Sequence, residues 1–387
     1  MLLIKDGKVI TMAGDNYEIA SILIDNGKII EIGENIEIKD EMQLINAKGC
    51  WVIPGIIDAH CHIGILEEGL GVEGKDINEA TDPITPHMRA LDGINPMDSS
   101  FLQAREAGIT AVMTGPGSAN VIGGQFVIIK THGVCVDDMI IKEPAAMKIS
   151  FGENPKRTYN GKNRTPMTRM AIAALLRDTL VKAKNYERRK LKAIDCNENF
   201  DIDIKMEALI PVLRREIPFK AHVHRADDIL TAIRIAKEFD LKMTLEHCTE
   251  SDLITDKIKE AGFPVVIGPV MTSRNKVETK NKSIAAAARL NRVGIKLAIA
   301  SDHPIMPIGY LTVCAALVVK EGLDMFEALK AITINAAEIL GVSDKIGSLE
   351  VGKNADVAIF DGNPLDIATS TVYTISEGVV IYSKFKE

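Results

Sequence analysis

The chain has 387 residues, a formal net charge of −7 and a charged fraction of 26%. Its length allows one large domain or two to three ordinary ones, and its composition is that of a mildly acidic globular protein. The lack of a basic excess argues against nucleic acid or an anionic membrane surface as a partner. No apolar run reaches the ~18 residues of a membrane span, and the first residues lack a signal-peptide pattern, so a cytoplasmic protein is expected.

Both ends of the chain have the pattern of short strands joined by turns. Apolar runs at 2–4, 9–11, 21–24 and 28–30 are separated by turn signals at Asp6-Gly7 and Asn26-Gly27. Runs at 357–360, 372–375 and 379–382 continue this pattern near the end, with a turn at Glu377-Gly378. We therefore predict a small β-domain assembled from residues 1–52 and 346–387.

The middle of the chain, residues 53–345, alternates apolar runs with helical periodicity. Such alternation is typical of a parallel sheet with crossover helices. Helices are predicted at 99–107, 168–191, 226–238, 250–261, 282–292 and 325–340, and strands before His60 and at 111–113, 126–129, 146–149, 221–223, 243–245, 265–267 and 297–299. Eight strands with helices fit an α/β fold, a (β/α)₈ TIM barrel, although three strands between 110 and 147 follow one another without a clear helix.

The most informative segment runs from Val52 to His62, where a Pro-Gly pair interrupts an apolar run that closes in two histidines. Because alternate side chains of a strand share a face, His60 and His62 are predicted to reach one divalent ion.

Further metal ligands are expected at the ends of later strands. His222 and His224 lie at the end of one predicted strand, His247 ends another, and Asp302 follows a third. A lone histidine is more often a packing residue than a ligand, but the carboxyl ends of barrel strands meet at one face, where active sites lie. The combination therefore predicts a metal centre.

On these residues the sequence resembles the amidohydrolase superfamily. The resemblance rests on residues 54–62, on His222, His247 and Asp302, and on the tail segment 347–356, and it covers nearly the whole chain. It looks closest to the imidazolonepropionase-related and prolidase-like members. The resemblance implies a metal-dependent hydrolase with a (β/α)₈ barrel and a β-sandwich built from both termini.

The resemblance also implies roles for the residues of this chain that match the motifs of the superfamily. His60 and His62 would be first-strand ligands, His222 the fifth-strand ligand, His247 the sixth-strand histidine and Asp302 the eighth-strand carboxylate. Imidazole and carboxylate donors suit zinc, with manganese or iron as alternatives. Asp302 would accept the proton of the attacking water and deliver it to the departing nitrogen.

The number of ions, one or two, depends on Lys148. In two-metal members a fourth-strand lysine is often carboxylated, and its carbamate bridges the ions; Lys148 is the matching position. Lys130 competes for this role, and Glu153 is an alternative bridging carboxylate. Without a bridge, His247 would bind and polarise the substrate carbonyl.

Substrate contacts are predicted from residues beside the ligands and on the loops. His224 and His303 are neighbours of ligands, Arg225 and Arg274 are candidates to hold a substrate carboxylate, and Gln125 is a weaker candidate. The segment 154–168 is predicted to be a mobile loop over the active-site mouth.

The function expected from these features is hydrolysis of a carbon–nitrogen bond in a small amide, cyclic amide, N-acyl amino acid or dipeptide. Deamination of a heterocycle is the alternative within enzymes, and a non-catalytic scaffold is the alternative outside them. The expected partner is a small-molecule substrate, and a homo-oligomer is expected because soluble oligomers are commonly symmetric copies.

Overall fold

The protein, described from a computed structural model that covers residues 1–69 and 71–385, contains two eight-stranded sheets. The strands are numbered along the chain. They are β1 Leu2–Ile10, β2 Asn16–Asp25, β3 Lys28–Gly33, β4 Gln43–Asn46, β5 Trp51–Pro54, β6 Ile56–Cys61, β7 Ile109–Thr114, β8 Ile122–Lys130, β9 Ile140–Ser150, β10 Phe219–Val223, β11 Met243–His247, β12 Val265–Ile267, β13 Leu297–Ile299, β14 Val357–Phe360, β15 Thr371–Ser376 and β16 Val379–Ser383.

The first sheet combines strands from both ends of the chain. Its order is β16-β15-β14-β5-β1-β2-β3, and β4 pairs with the start of β1. The two ends join where β5 runs antiparallel to β14. Hydrogen bonds connect all eight strands into one branched sheet, which contains strands from both predicted ends of the chain. Its apolar face is fully buried, including Ile22, Val52, Val357 and Ile375, because each strand turns alternate side chains inward.

The second sheet holds β6 to β13 in chain order. All neighbours are parallel except β8, which runs antiparallel to both β7 and β9. The connections around β8, residues 115–121 and 131–139, contain no α-helix. They are too short for the crossover of a dozen or more residues that a parallel partner needs. β8 is therefore antiparallel to its neighbours, whereas the sequence predicted a parallel strand.

The two edges of this second sheet approach each other just beyond their strands. The backbone N–H of Asp302 donates to the carbonyl of His60 at 3.0 Å, and that of His62 donates to the carbonyl of His303 at 2.9 Å. The sheet is therefore barrel-like and nearly closed.

One α-helix lies between β6 and β7, and the other described α-helices occupy connections after β9. They are α1 Ser99–Glu106, α2 Glu153–Asn160, α3 Arg169–Asp195, α4 Ile204–Glu207, α5 Ile210–Leu213, α6 Ala226–Phe239, α7 Thr255–Ala261, α8 Ala286–Arg292, α9 Leu311–Lys320, α10 Met325–Ala331 and α11 Ile334–Leu340. The predicted helix at 325–340 is divided between α10 and α11, and the predicted loop at 154–168 is helical up to Asn160. Among the described residues, none of these helices combines the length and the apolar character that a membrane span needs.

A buried ion pair joins the two sheets. Lys130, at the end of β8, donates to both carboxylate oxygens of Asp356 at 2.6 and 2.8 Å, and Asp356 precedes β14. Lys130 therefore binds Asp356, and Lys148 is the lysine whose side chain contacts a histidine of the predicted ligand set.

Candidate metal centre

The strand ends of the second sheet bring the predicted ligands to one cavity. Its volume is about 360 Å³, and its lining includes His62, His222, His224, His247 and Asp302. His222 lies within β10 and His247 ends β11, while His62, His224 and Asp302 lie just beyond the ends of β6, β10 and β13. A cavity of this size suits a small molecule.

The side chains form two adjacent clusters. In the first, His60, His62 and Asp302 place their ligand atoms within 4.8 Å of one another, and His222, His224 and His247 do the same in the second. Asp302 Oδ1 lies 3.3 Å from His62 Nε2 and 3.7 Å from His60 Nε2. The ring centroids of His60 and His247, one from each cluster, are 5.3 Å apart. Each cluster has a donor set that could hold a divalent cation.

Hydrogen bonds made by Nδ1 orient three of these histidines. His60 Nδ1 donates to Glu246 Oε2 at 2.7 Å, His62 Nδ1 donates to the carbonyl of Gly115 at 2.6 Å, and His247 Nδ1 donates to the carbonyl of Gly268 at 2.5 Å. Because each acceptor is an oxygen, Nδ1 carries the proton and Nε2 keeps its lone pair. Metal-binding histidines in proteins are held in the same way.

Glu246 belongs to a buried network behind His60. Its carboxylate lies 2.9 Å from Lys220 Nζ and accepts a hydrogen bond from Thr244 Oγ1, and Lys220 also donates to the carbonyl of Ala59 at 3.0 Å. The side chains of Glu246 and Lys220 are each 1% exposed. Neither residue was predicted from the sequence to have a role.

Burial keeps the imidazoles in the neutral form that binds metals. It is the largest cause that lowers the pKa of His60, His222 and His247 well below the usual value, and the surrounding cationic groups add to it. Burial also lowers the pKa of His224 to about 4, against the opposing charge of Glu278. Burial acts to raise the pKa of Asp302, but the neighbouring His62, His247 and Lys148 lower it overall. Asp302 is therefore a carboxylate at neutral pH.

Lys148 lies beside the first cluster. Its Nζ is 3.3 Å from His60 Nε2, and the residue is 1% exposed. Burial lowers the pKa of Lys148 to about 8, although Asp302 and Glu246 oppose this shift. Glu153, the alternative bridging residue, does not line the cavity. Its backbone N–H donates to Glu278 Oε2 at 2.8 Å.

The backbone is in the left-handed region at two of the site residues. The φ angles of His247 and Asp302 are 70° and 55°, which non-glycine residues rarely adopt. The two backbone hydrogen bonds between the 60–62 and 302–303 segments hold Asp302 in this conformation. Such conformations persist where the surrounding structure over-determines them, often at functional sites.

Four of the predicted substrate contacts do not line the cavity. Arg225 pairs with Asp227 at 2.9 and 3.0 Å, and Arg274 donates to the carbonyl of Lys282 at 3.0 Å. Gln125 Nε2 donates to the carbonyl of Pro86 at 3.2 Å, and fully buried His303 accepts from the Ile308 N–H through Nδ1. Of this predicted group, only His224 lies at the cavity, and it belongs to the second histidine cluster.

Other polar side chains occupy the cavity wall instead. Those from α2 and from the loop after β12 include Asn154, Arg157, Lys276 and Lys282. Buried Glu278 lies behind them, with Oε1 3.8 Å from His224 Nε2 and 3.9 Å from His222 Nε2. Loop residues have no periodicity that could have identified them, and their residue types alone are common on surfaces.

Known proteins are similar to this chain in sequence and in fold. Residues 212–385 match the Amidohydrolase family. The crystal structure of an amidohydrolase from Thermotoga maritima MSB8 superimposes with a TM-score of 0.96 at 42% sequence identity, covering 99% of this chain and 100% of that one.

Two curated relatives are more distant in sequence. The amidohydrolase tasK of Hapsidospora irregularis is 26% identical over 93% of this chain, which spans only 39% of the length of that relative. The imidazolonepropionase of Symbiobacterium thermophilum is 25% identical, over 93% of this chain and 90% of its own length.

Proposed function

Because the chain belongs to the amidohydrolase superfamily, and is thus a hydrolase of carbon–nitrogen bonds other than protein peptide bonds, we propose that it cleaves such a bond in a small amide, cyclic amide, N-acyl amino acid or dipeptide. The observation that carries the proposal is the meeting of His60, His62 and Asp302 beside the His222, His224 and His247 cluster at a cavity of small-molecule size.

The donor set fits a divalent cation. His60, His62 and Asp302 would hold one ion, and His222, His224 and His247 would hold a second, with Lys148 as the candidate bridge. Zinc suits these donors best, with manganese or iron as alternatives. Such an ion, when bound, supplies Lewis acidity and lowers the pKa of a water molecule to about 7.

Asp302 is the proposed proton carrier. Its side chain is 14% exposed, lines the cavity and is ionised at neutral pH, so it can accept a proton from an attacking water. The protonated carboxyl can then deliver that proton to the departing nitrogen. His62 Nε2 lies 3.3 Å from Oδ1, so the two groups face the same position at the cavity.

The proton on His247 Nδ1 supports a ligand role for this residue. Since Nδ1 donates to Gly268, and burial keeps the ring neutral, Nε2 has no proton to donate to a substrate carbonyl. This argues for two ions over the alternative in which His247 polarises the carbonyl.

Asp302→Asn tests the proton-transfer role. We expect an unchanged fold and a loss of turnover of roughly 10²–10⁴-fold, the usual contribution of general acid–base catalysis. The measurement is kcat on an amide panel with the zinc-loaded enzyme, and Asp40→Asn, at an exposed position outside the cavity, is the control. An unchanged kcat would remove Asp302 from this role.

Elemental analysis of metal per chain tests the number of ions. We expect two equivalents in the parent, a labile carbon dioxide adduct by intact mass, and half the metal in Lys148→Ala. Lys142→Ala, a partly buried lysine on the same strand but outside the cavity, should keep both ions. Equal metal content in Lys148→Ala and the parent would contradict the bridge.

Deamination of a heterocycle is a second candidate that one observation favours. Such chemistry usually requires a further acid near the fifth-strand histidine, and Glu278 Oε1 lies 3.9 Å from His222 Nε2. Ammonia release from an amidine-containing heterocycle, without ring opening, would select this candidate over amide hydrolysis.

We further propose that residues 1–52 with 346–387 form one domain and that residues 53–345 form a (β/α)₈ barrel modified at β8. The separate hydrogen-bonded sheets support this division. A symmetric homo-oligomer is proposed on general grounds, and sedimentation velocity tests it.

A further inference from the structure

Cations outnumber carboxylates on the wall of the cavity. Apart from Lys148, the candidate bridge of the metal centre, the described residues that line it include three cations, Arg157, Lys276 and Lys282, whereas Asp302 is the one carboxylate. A cleft lined mainly by one sign of charge focuses its field and concentrates ligands of the opposite sign. The wall thus favours an anionic ligand.

The three cations differ in how far their charge is already compensated. Lys276 donates to Asn154 Oδ1 at 2.9 Å and lies 3.7 Å from Glu278 Oε1, so a neighbouring carboxylate partly neutralises it. Arg157 is exposed to solvent, which screens its charge.

Lys282 is a half-buried cation with a neutral partner. Its Nζ donates to the hydroxyl of Thr272, and within the described ranges 1–69 and 71–385 no carboxylate lies within 4.0 Å of it. Burial lowers the pKa of Lys282 to about 8, because the desolvation of the ammonium outweighs the opposing effects of Cys314 and Asp302. A bound anion would supply the missing counter-charge.

We propose that the substrate carries an anionic group, a carboxylate or a phosphate, and that Lys282 binds it. Lys282 is then a specificity-determining residue, and the substrate class is acidic amides. This inference rests on the proposed function, because the reacting bond lies at the metal centre while Lys282 holds a different part of the same molecule.

The test measures anion binding apart from catalysis. The zinc-loaded full chain is titrated calorimetrically with succinate, inorganic phosphate and neutral succinamide. We expect an anion to bind and succinamide not to bind. Lys282→Met should raise the Kd for that anion about tenfold or more, as expected for loss of a charge-assisted contact, whereas Lys282→Arg should retain binding.

Lys280→Met is the matched control, because Lys280 is an exposed lysine two residues away that does not line the cavity. It should bind the anion as the parent does, and metal content should be equal in all variants. Preference for succinate or for phosphate identifies the group. Since both anions also bind divalent ions, the ratio of Kd between Lys282→Met and the parent decides the outcome.

A ratio near one, or equal binding of succinate and succinamide by the parent, would overturn the inference. If Lys282→Met fails to fold, Lys282→Gln, which also removes the charge, takes its place in the same Kd ratio. Failure of the proposed function has a different signature: anion binding that depends on Lys282 persists, but acidic amides such as N-acetyl-L-glutamate and the neutral amides all remain intact.

Discussion

At the residue scale, Glu246 controls how His60 faces the first cluster. Its carboxylate contacts His60 Nδ1 at 2.7 Å and Lys220 Nζ at 2.9 Å, with almost no access to solvent. Since such carboxylates orient a ligating imidazole and raise its basicity, we expect Glu246→Gln to weaken metal affinity by about 10–100-fold.

Chelator competition on the zinc-loaded protein measures this affinity. Glu250→Gln is the control, because Glu250 accepts hydrogen bonds from Ala226 N–H and Asn281 outside the cavity lining. Parent-like metal affinity in Glu246→Gln would show that the carboxylate has no part in holding His60.

Lys282 should make anion binding pH-dependent. Burial lowers the pKa of Lys282 to about 8, while Cys314 and Asp302 act in the opposite direction. The ammonium form binds the anion, so the Kd should be flat below about pH 8 and rise about tenfold per pH unit above it. Calorimetric titration from pH 6.5 to 9.5 measures this profile, and a profile that stays flat to pH 9.5 would contradict it.

At the element scale, the close approach of two strand ends fixes the position of the Gly268 carbonyl, which accepts the hydrogen bond from His247. Gly268 follows β12, its carbonyl accepts from His247 Nδ1, and a Cβ there would collide with the carbonyl of Ala300, just after β13. We therefore expect Gly268→Ala to lower the free energy of unfolding by about 1–3 kcal/mol, as overpacking does, and to reduce metal content.

Chemical denaturation and elemental analysis give the two readouts for Gly268→Ala. The control is Gly33→Ala, since the nearest atom to a Cβ at Gly33 is 4.0 Å away. Full stability together with full metal content in Gly268→Ala would mean that the strand ends can separate without disturbing His247.

At the scale of the whole molecule, the Lys130–Asp356 pair couples the sheet from the chain ends to the barrel-like sheet. Asp356 also accepts from the Glu377 N–H at 2.9 Å, and its side chain is 1% exposed. Lys130→Met would leave a buried carboxylate without its cation, which typically costs about 3–5 kcal/mol.

Urea denaturation measures this loss. The double variant Lys130→Met with Asp356→Asn should recover part of it, because the unpaired charge is removed as well. A single variant as stable as the parent would show that the two sheets are held together without this pair.

Much of the fold and of the metal centre could be predicted from the sequence. All eight strands of the barrel-like sheet were located, because buried strands leave continuous apolar runs, and His60, His62, His222, His247 and Asp302 were expected to meet because parallel strand ends share an edge. The reversal of β8 was visible only as a missing helix between 110 and 147.

The sequence by itself determined the strand order of the second sheet and the common location of the proposed ligands, since these follow from local periodicity and from chemistry carried by single residues. Tertiary structure alone decided which side chains surround them. It turned Arg225, Arg274, Gln125 and His303 away from the cavity and brought Lys276, Glu278 and Lys282 to it or close behind it. The direction of a loop depends on contacts distant in sequence, and those contacts leave no pattern in the loop itself.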